Sequence, residues 1–147
     1  MSVPILRAIR GGAALTLAAA PLLYLLVRIF EHDSIRALVV PALVSTFVLG
    51  TLLWRSMVLT KAAAVDDMLG VRGFLAGFFT GILVHPFAWA GPFLVSPTTV
   101  DAGQAVAGII YYSMLSLIIT GVVTAGVGGG VGVLLTRFAF FRPASDP

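Results

Sequence analysis

Between Arg10 and Arg28, Arg36 and Arg55, Arg72 and Asp101, and Asp101 and Arg137, the chain carries no charged side chain. These intervals are filled mainly with apolar residues, and a bilayer core takes about 20 residues of helix to cross. Backbone amides find no water inside lipid, so runs this long and this apolar are read as spanning helices. The expected fold is all-α: a four-span transmembrane helical bundle, with spans at about 11–30, 37–54, 70–91 and 104–126. A Gly-rich continuation carries the last span on to about 138.

Composition supports the same reading. Of 147 residues 59% are hydrophobic and 10% charged, with a mean hydropathy of +1.08. A soluble domain averages about 25% charged residues, and so few cannot cover a core of this size. Four spans use up most of a single domain and leave no room for a soluble one. The absence of cysteine removes disulfides and thiolate metal sites, and no cofactor is expected. The absence of asparagine and the preference for arginine over lysine suggest a GC-rich, prokaryotic genome.

The net charge of +3 is not gathered into a nucleic-acid patch. The basic residues sit singly at the ends of apolar runs, where they set orientation. With the N-terminus in the cytoplasm, Arg7, Arg10, Arg55, Lys61, Arg72, Arg137 and Arg142 fall inside, and only Arg28 and Arg36 outside. The positive-inside rule therefore places both termini in the cytoplasm, in a multi-pass protein of a prokaryotic cytoplasmic membrane.

Taken in order, a short basic arm precedes the first span, which is expected to bend at Pro21. Glu31 to Arg36 form a charged turn in which Asp33 or Ser34 would cap the second helix. That helix is expected to run on past the bilayer towards Val65, and Asp66 and Asp67 to cap the third. Pro86 predicts a kink below His85, and Gly91-Pro92 and Pro97 an end to the third helix. The last run, Gln104 to Phe140, would be about 55 Å long as one helix, against a bilayer core of about 30 Å. Either it projects beyond the membrane, or the glycines from Gly126 to Gly132 break it.

The third span holds the pattern of greatest interest. Gly73, Gly77 and Gly81 recur every four residues and so form one ridge of a helix. Such a ridge lets a neighbouring helix come close, the usual packing device in lipid. The next steps along it are His85 and Trp89. His85 would lie about 18–20 Å deep, where an ionisable group marks a candidate site. Desolvation favours a neutral imidazole there at pH 7, hydrogen-bonded across the bundle. Ser113, Ser116, Thr120 and Thr124 fall within about 80° of one another on the last helix and make a polar stripe. Measuring depth from Gln104 puts Ser113 or Ser116 level with His85; measuring back from Arg137 puts Thr124 there. The first is preferred.

Other constellations are weaker. The glycines at 126–132 miss both the dinucleotide spacing and the ending of a phosphate loop, and are expected to serve close helix packing or a flexible break. Glu31, His32 and Asp33 read as a solvated turn, and Trp54, Trp89, Tyr111 and Tyr112 as interfacial or packing aromatics. Haem ligation needs histidine pairs. Neither G-x-S-x-G nor H-E-x-x-H occurs, and all six acidic residues lie outside the apolar runs. The expected role is therefore non-enzymatic: a structural or accessory membrane component, partnered by the lipid bilayer and forming a homo-oligomer or a subunit of a complex. The alternative is a small oligomeric channel or carrier whose path is lined by His85 and the hydroxyl stripe.

Overall fold

The computed structural model describes residues 3–30, 33–60, 68–95, 101–138 and 141. Four long helices account for nearly all of them, with no strand among the described residues: α1 (Val3–Phe30), α2 (Asp33–Leu53), α3 (Leu69–Val95) and α4 (Ala102–Leu135). All four are long and apolar enough to span a membrane, and the protein is an all-α membrane bundle. One end of the bundle carries the first and last described residues and is called here the terminal end. The other carries the α1–α2 and α3–α4 connections and is called the loop end.

Neighbours in sequence are neighbours in space. α1 packs on α2, α2 on α3, and α3 on α4, the last being the most extensive pairing. The circuit closes between α1 and the terminal half of α4. The loop half of α4 packs principally on α3 and stands away from α1 and α2.

Small residues decide how close these helices come. A Cβ on Gly12 would lie 2.7 Å from the Phe47 carbonyl oxygen, and one on Gly50 3.2 Å from the Cα of Gly12. The α1–α2 contact thus rests on glycines from both helices. Threonines return their hydroxyls to their own helix: half-buried Thr16 to the Gly12 carbonyl, and buried Thr46 to Ala42 and Thr80 to Ala76, at 2.7–2.8 Å. A hydroxyl satisfied this way can face a neighbouring helix without needing a partner on it.

The tightest core lies at the terminal end, around Trp54 and Val58, both fully buried, with Leu15, Ala76 and Leu135. Gly11 makes the hollow for the indole; a Cβ there would come 2.5 Å from the ring. Trp54 Nε1 donates to the Phe141 carbonyl at 3.1 Å, and the two rings meet edge to face at 6.3 Å. Trp54 is thus the centre of a core cluster, not an interfacial anchor.

Several local expectations are corrected. The first helix begins at Val3, so Arg7 and Arg10 are helical rather than part of an arm; Pro4 falls in the first turn, where a missing amide proton costs little. The first helix otherwise runs whole through Pro21, as expected. α2 does not continue as an α-helix beyond Leu53 but ends in a single π turn, Trp54–Val58. α3 is not ended by Gly91-Pro92 but continues to Val95. Gly91 serves as a contact, since a Cβ there would come 2.6 Å from the Pro41 ring. Asp33 and Ser34 form the start of α2, but their side chains, and Glu31, His32, Asp66 and Asp67, lie outside what is described. At the start of α4, Asp101 is the cap, accepting the Gly103 amide at 2.7 Å.

Of the two expectations for the last run, the single long helix is the one observed. Gly126 to Gly132 do not break it, and α4 is continuous from Ala102 to Leu135. Its one irregularity is a π turn at Leu117–Gly121, between α-helical Ala102–Ser116 and Val122–Leu135.

Candidate functional site

The glycine ridge of α3 meets a second ridge on α4. Gly73 faces Gly132 and Thr136, Gly77 faces Gly128 and Gly129, and Gly81 faces Thr124 and Ala125. Each step of four along α3 is matched by a step of four backwards along α4, so the antiparallel register stays constant through three rungs. A Cβ on Gly77 would fall well inside van der Waals contact of the Gly128 carbonyl, and one on Gly132 inside that of Gly73. Backbone therefore lies directly on backbone. Thr124 Oγ1 also reaches the Gly81 carbonyl at 3.2 Å, a bond available only at this separation.

His85 is the next residue on the α3 ridge, and it is buried. Both ring nitrogens bond to α4: Nδ1 to Ser116 Oγ at 2.9 Å and Nε2 to Thr124 Oγ1 at 3.1 Å. The two hydroxyls expected as alternatives are held at once. The π turn between them makes this possible. Eight residues of ordinary helix would set positions 116 and 124 about 80° apart, but one extra residue in the π turn brings them to within about 20°. The imidazole spans the turn and ties together the helical segments on either side.

The network continues towards the loop end. Trp89 Nε1 donates to Ser116 Oγ at 3.2 Å, and its ring stacks on Tyr112 at 4.8 Å. Ser116 Oγ also lies 3.1 Å from the Ser113 carbonyl, and Thr124 Oγ1 3.1 Å from that of Gly121. A neutral imidazole has one donor and one acceptor, and either tautomer is satisfied. With the proton on Nε2, His85 donates to Thr124, Thr124 passes its proton to a backbone carbonyl, and Ser116 donates to Nδ1. With the proton on Nδ1 the directions reverse, and Ser116 donates to the Ser113 carbonyl.

The other stripe residues play separate parts. Thr120 bonds back to the Ser116 carbonyl at 2.9 Å and makes no hydrogen bond to His85. Ser113 is buried, and its hydroxyl has no hydrogen-bond partner among the described residues. Tyr111 is exposed and touches only the edge of Tyr112 among the rings described. No group of three or more metal-binding side chains occurs among the described residues.

Sequence reasoning did not find Trp89 as a member of this network, although it lies one ridge step beyond His85. It also did not pair the 126–132 glycines with the 73–77–81 ridge; their common spacing of four was the available signal. A cavity of about 230 Å³ lies beside the network, with His85, Trp89, Tyr112, Ser116, Thr120 and Thr124 on one wall and apolar residues of α1 and α2 on the other. The fold and this buried polar network together define an integral membrane protein built on a glycine-packed helix pair. The chain matches no known family model, and no similar curated protein or solved structure was found.

Proposed function

We propose that the chain is a non-enzymatic structural or accessory component of a membrane, assembling as a homo-oligomer or as a subunit of a larger complex. The observation that carries this reading is the pair of hydrogen bonds from His85 to Ser116 and Thr124. The imidazole has both nitrogens engaged in joining two helices, which is a fastening role. Trp89 adds to the same fastening by donating to Ser116.

A second reading has one observation in its favour: His85, Ser116, Thr120 and Thr124 all touch the cavity. That wall could belong to the path of a small oligomeric channel or carrier. One pair of variants separates the two. Hydrogen bonds between membrane helices are worth about 0.6–2 kcal/mol each, so His85→Ala should lower stability in detergent by about 1–3 kcal/mol. His85→Gln can keep one of the two bonds and should recover about half. Under the fastening reading, liposomes carrying the wild-type chain show no flux that depends on His85. A pH-dependent flux that vanishes in His85→Gln, with stability retained, would favour the channel instead.

The proposed placement is a prokaryotic cytoplasmic membrane with both termini inside, supported by the distribution of basic residues. The chain has no cysteine of its own. Single cysteines at Ser2, Ser34 and Ser145 can therefore be probed in intact cells with an impermeant thiol reagent. Position 34 should label while 2 and 145 stay silent, and the reverse pattern would invert the topology.

A further inference from the structure

The cavity beside His85 adjoins a smaller one of about 70 Å³ deeper in the bundle, and Leu23, Leu26, Ala42, Val84 and Thr124 line both. Together they form one slot. Along α1 it extends from Val27 to Leu15, and along α3 from Trp89 to Gly77. Either measure gives about 18 Å of helix.

Position and wall chemistry narrow what fits. Val27 and Trp89 lie within a turn of the loop ends of their spans, Pro4–Ile29 and Leu69–Gly91, whereas Leu15 and Gly77 lie close to the middles of those spans. The slot therefore reaches from one membrane surface to about the midplane, and half of a bilayer core is about 15 Å. The walls are overwhelmingly apolar. Apart from Tyr112, whose ring stacks on Trp89, their polar side chains are already engaged: His85, Ser116 and Thr124 with one another or with backbone, Trp89 with Ser116, and Thr120, Thr46 and Thr80 with carbonyls of their own helices. A polar ligand would find few free partners. Leu115 and Ile119 line the slot and are also exposed on the bundle surface, so it opens sideways, towards lipid. The opening exists because the loop half of α4 stands away from α1 and α2.

We propose that the slot holds one acyl chain of a glycerophospholipid from the leaflet on the loop side, as an integral part of the bundle. The occupant is linear because the slot is long and narrow, and a single-leaflet lipid because the slot stops near the midplane. It fills the gap that the fourth helix leaves. The inference stands on the slot alone, so a result in the flux assay above neither supports nor weakens it.

The test is a count of retained lipid. The wild-type chain, purified in detergent and examined by native mass spectrometry, should keep about one phospholipid per protomer. Val84→Trp places a large ring where the two cavities join and should lose it. Val122→Trp, on a highly exposed position outside the slot, should keep it. Retention by Val84→Trp would overturn the proposal, as would a bound isoprenoid in place of phospholipid, or an empty slot covered by a second copy of the chain. Should Val84→Trp fail to fold, fluorescence of the wild-type chain decides. Trp54 is fully buried near the terminal end, while Trp89 lines the slot. Phospholipid brominated on its acyl chain and titrated into detergent should quench Trp89 with saturation at one lipid per protomer. Quenching that merely rises with the lipid-to-detergent ratio would overturn the proposal.

Discussion

Gly77→Leu is expected to abolish the folded bundle or leave it barely stable in mild detergent. Overpacking a core typically costs about 1–3 kcal/mol when side chains can yield. Here they cannot, because the obstacle is backbone: the Gly128 carbonyl and the Gly129 amide of α4. Making room for even a Cβ means separating the helices along the whole ladder, so the cost should reach the upper end of that range or exceed it, about 3 kcal/mol or more. Separation would also break the Thr124–Gly81 bond and draw Ser116 and Thr124 away from His85. Leu75→Ala, on another face of α3 and half-buried, should be milder. Thermal melts in one detergent compare them directly, and equal stability would mean that the ladder is not the main contact.

Trp54→Ala should be the other severe variant. Large aromatic truncations in cores cost about 3–5 kcal/mol. In a membrane the transfer part of that figure shrinks, because lipid is as apolar as the protein interior. The packing part remains, since the indole fills the hollow at Gly11 and is fully buried. A loss of about 3 kcal/mol is therefore expected. The change should also free the chain around Phe141, whose carbonyl accepts the indole proton, and so speed proteolysis near the C-terminus. Trp54→Phe keeps most of the volume and loses the hydrogen bond, so it should cost about 1 kcal/mol. If Trp54→Phe proved as damaging as Trp54→Ala, the bond to Phe141 would matter more than the packing.

The parts of this molecule that were legible in the sequence are those governed by local spacing. Charge-free runs located the four helices, and three glycines repeating every four residues located one side of the tightest contact. The same rule brought out His85 and the hydroxyl stripe. What stayed hidden depends on context that spacing does not carry. Gly126 to Gly132 left packing and a break both open, because glycine weakens a helix in water; against another glycine ridge in an apolar medium the same residues are the contact surface. Gly91-Pro92 suggested an end to α3 for a similar reason. The choice between Ser116 and Thr124 could not be made with a ruler of 1.5 Å per residue, because a π turn has no residue signature and shifts the phase of everything beyond it. For Trp54 the choice between interfacial and packing roles stayed open because its partner, Phe141, is distant in sequence. The slot leaves no local pattern, since it arises where α4 diverges from α1 and α2.

The constant register of the ladder has a mechanical consequence. Two ridges meshed at every fourth residue behave like a rack against a rack: a small axial slide drives carbonyls into Cα atoms, and the next seating lies one full tooth away, about 6 Å. The terminal half of α4 is therefore locked axially to α3, and gradual sliding between them is blocked. The loop half is not toothed in this way. Beyond the π turn it is held to α3 mainly by the Ser116–His85 and Ser116–Trp89 bonds and the Tyr112–Trp89 stack. Movement of α3 against α4 is therefore expected as a swing of the loop half of α4 about residues 117–121, with the meshed terminal half as its mount.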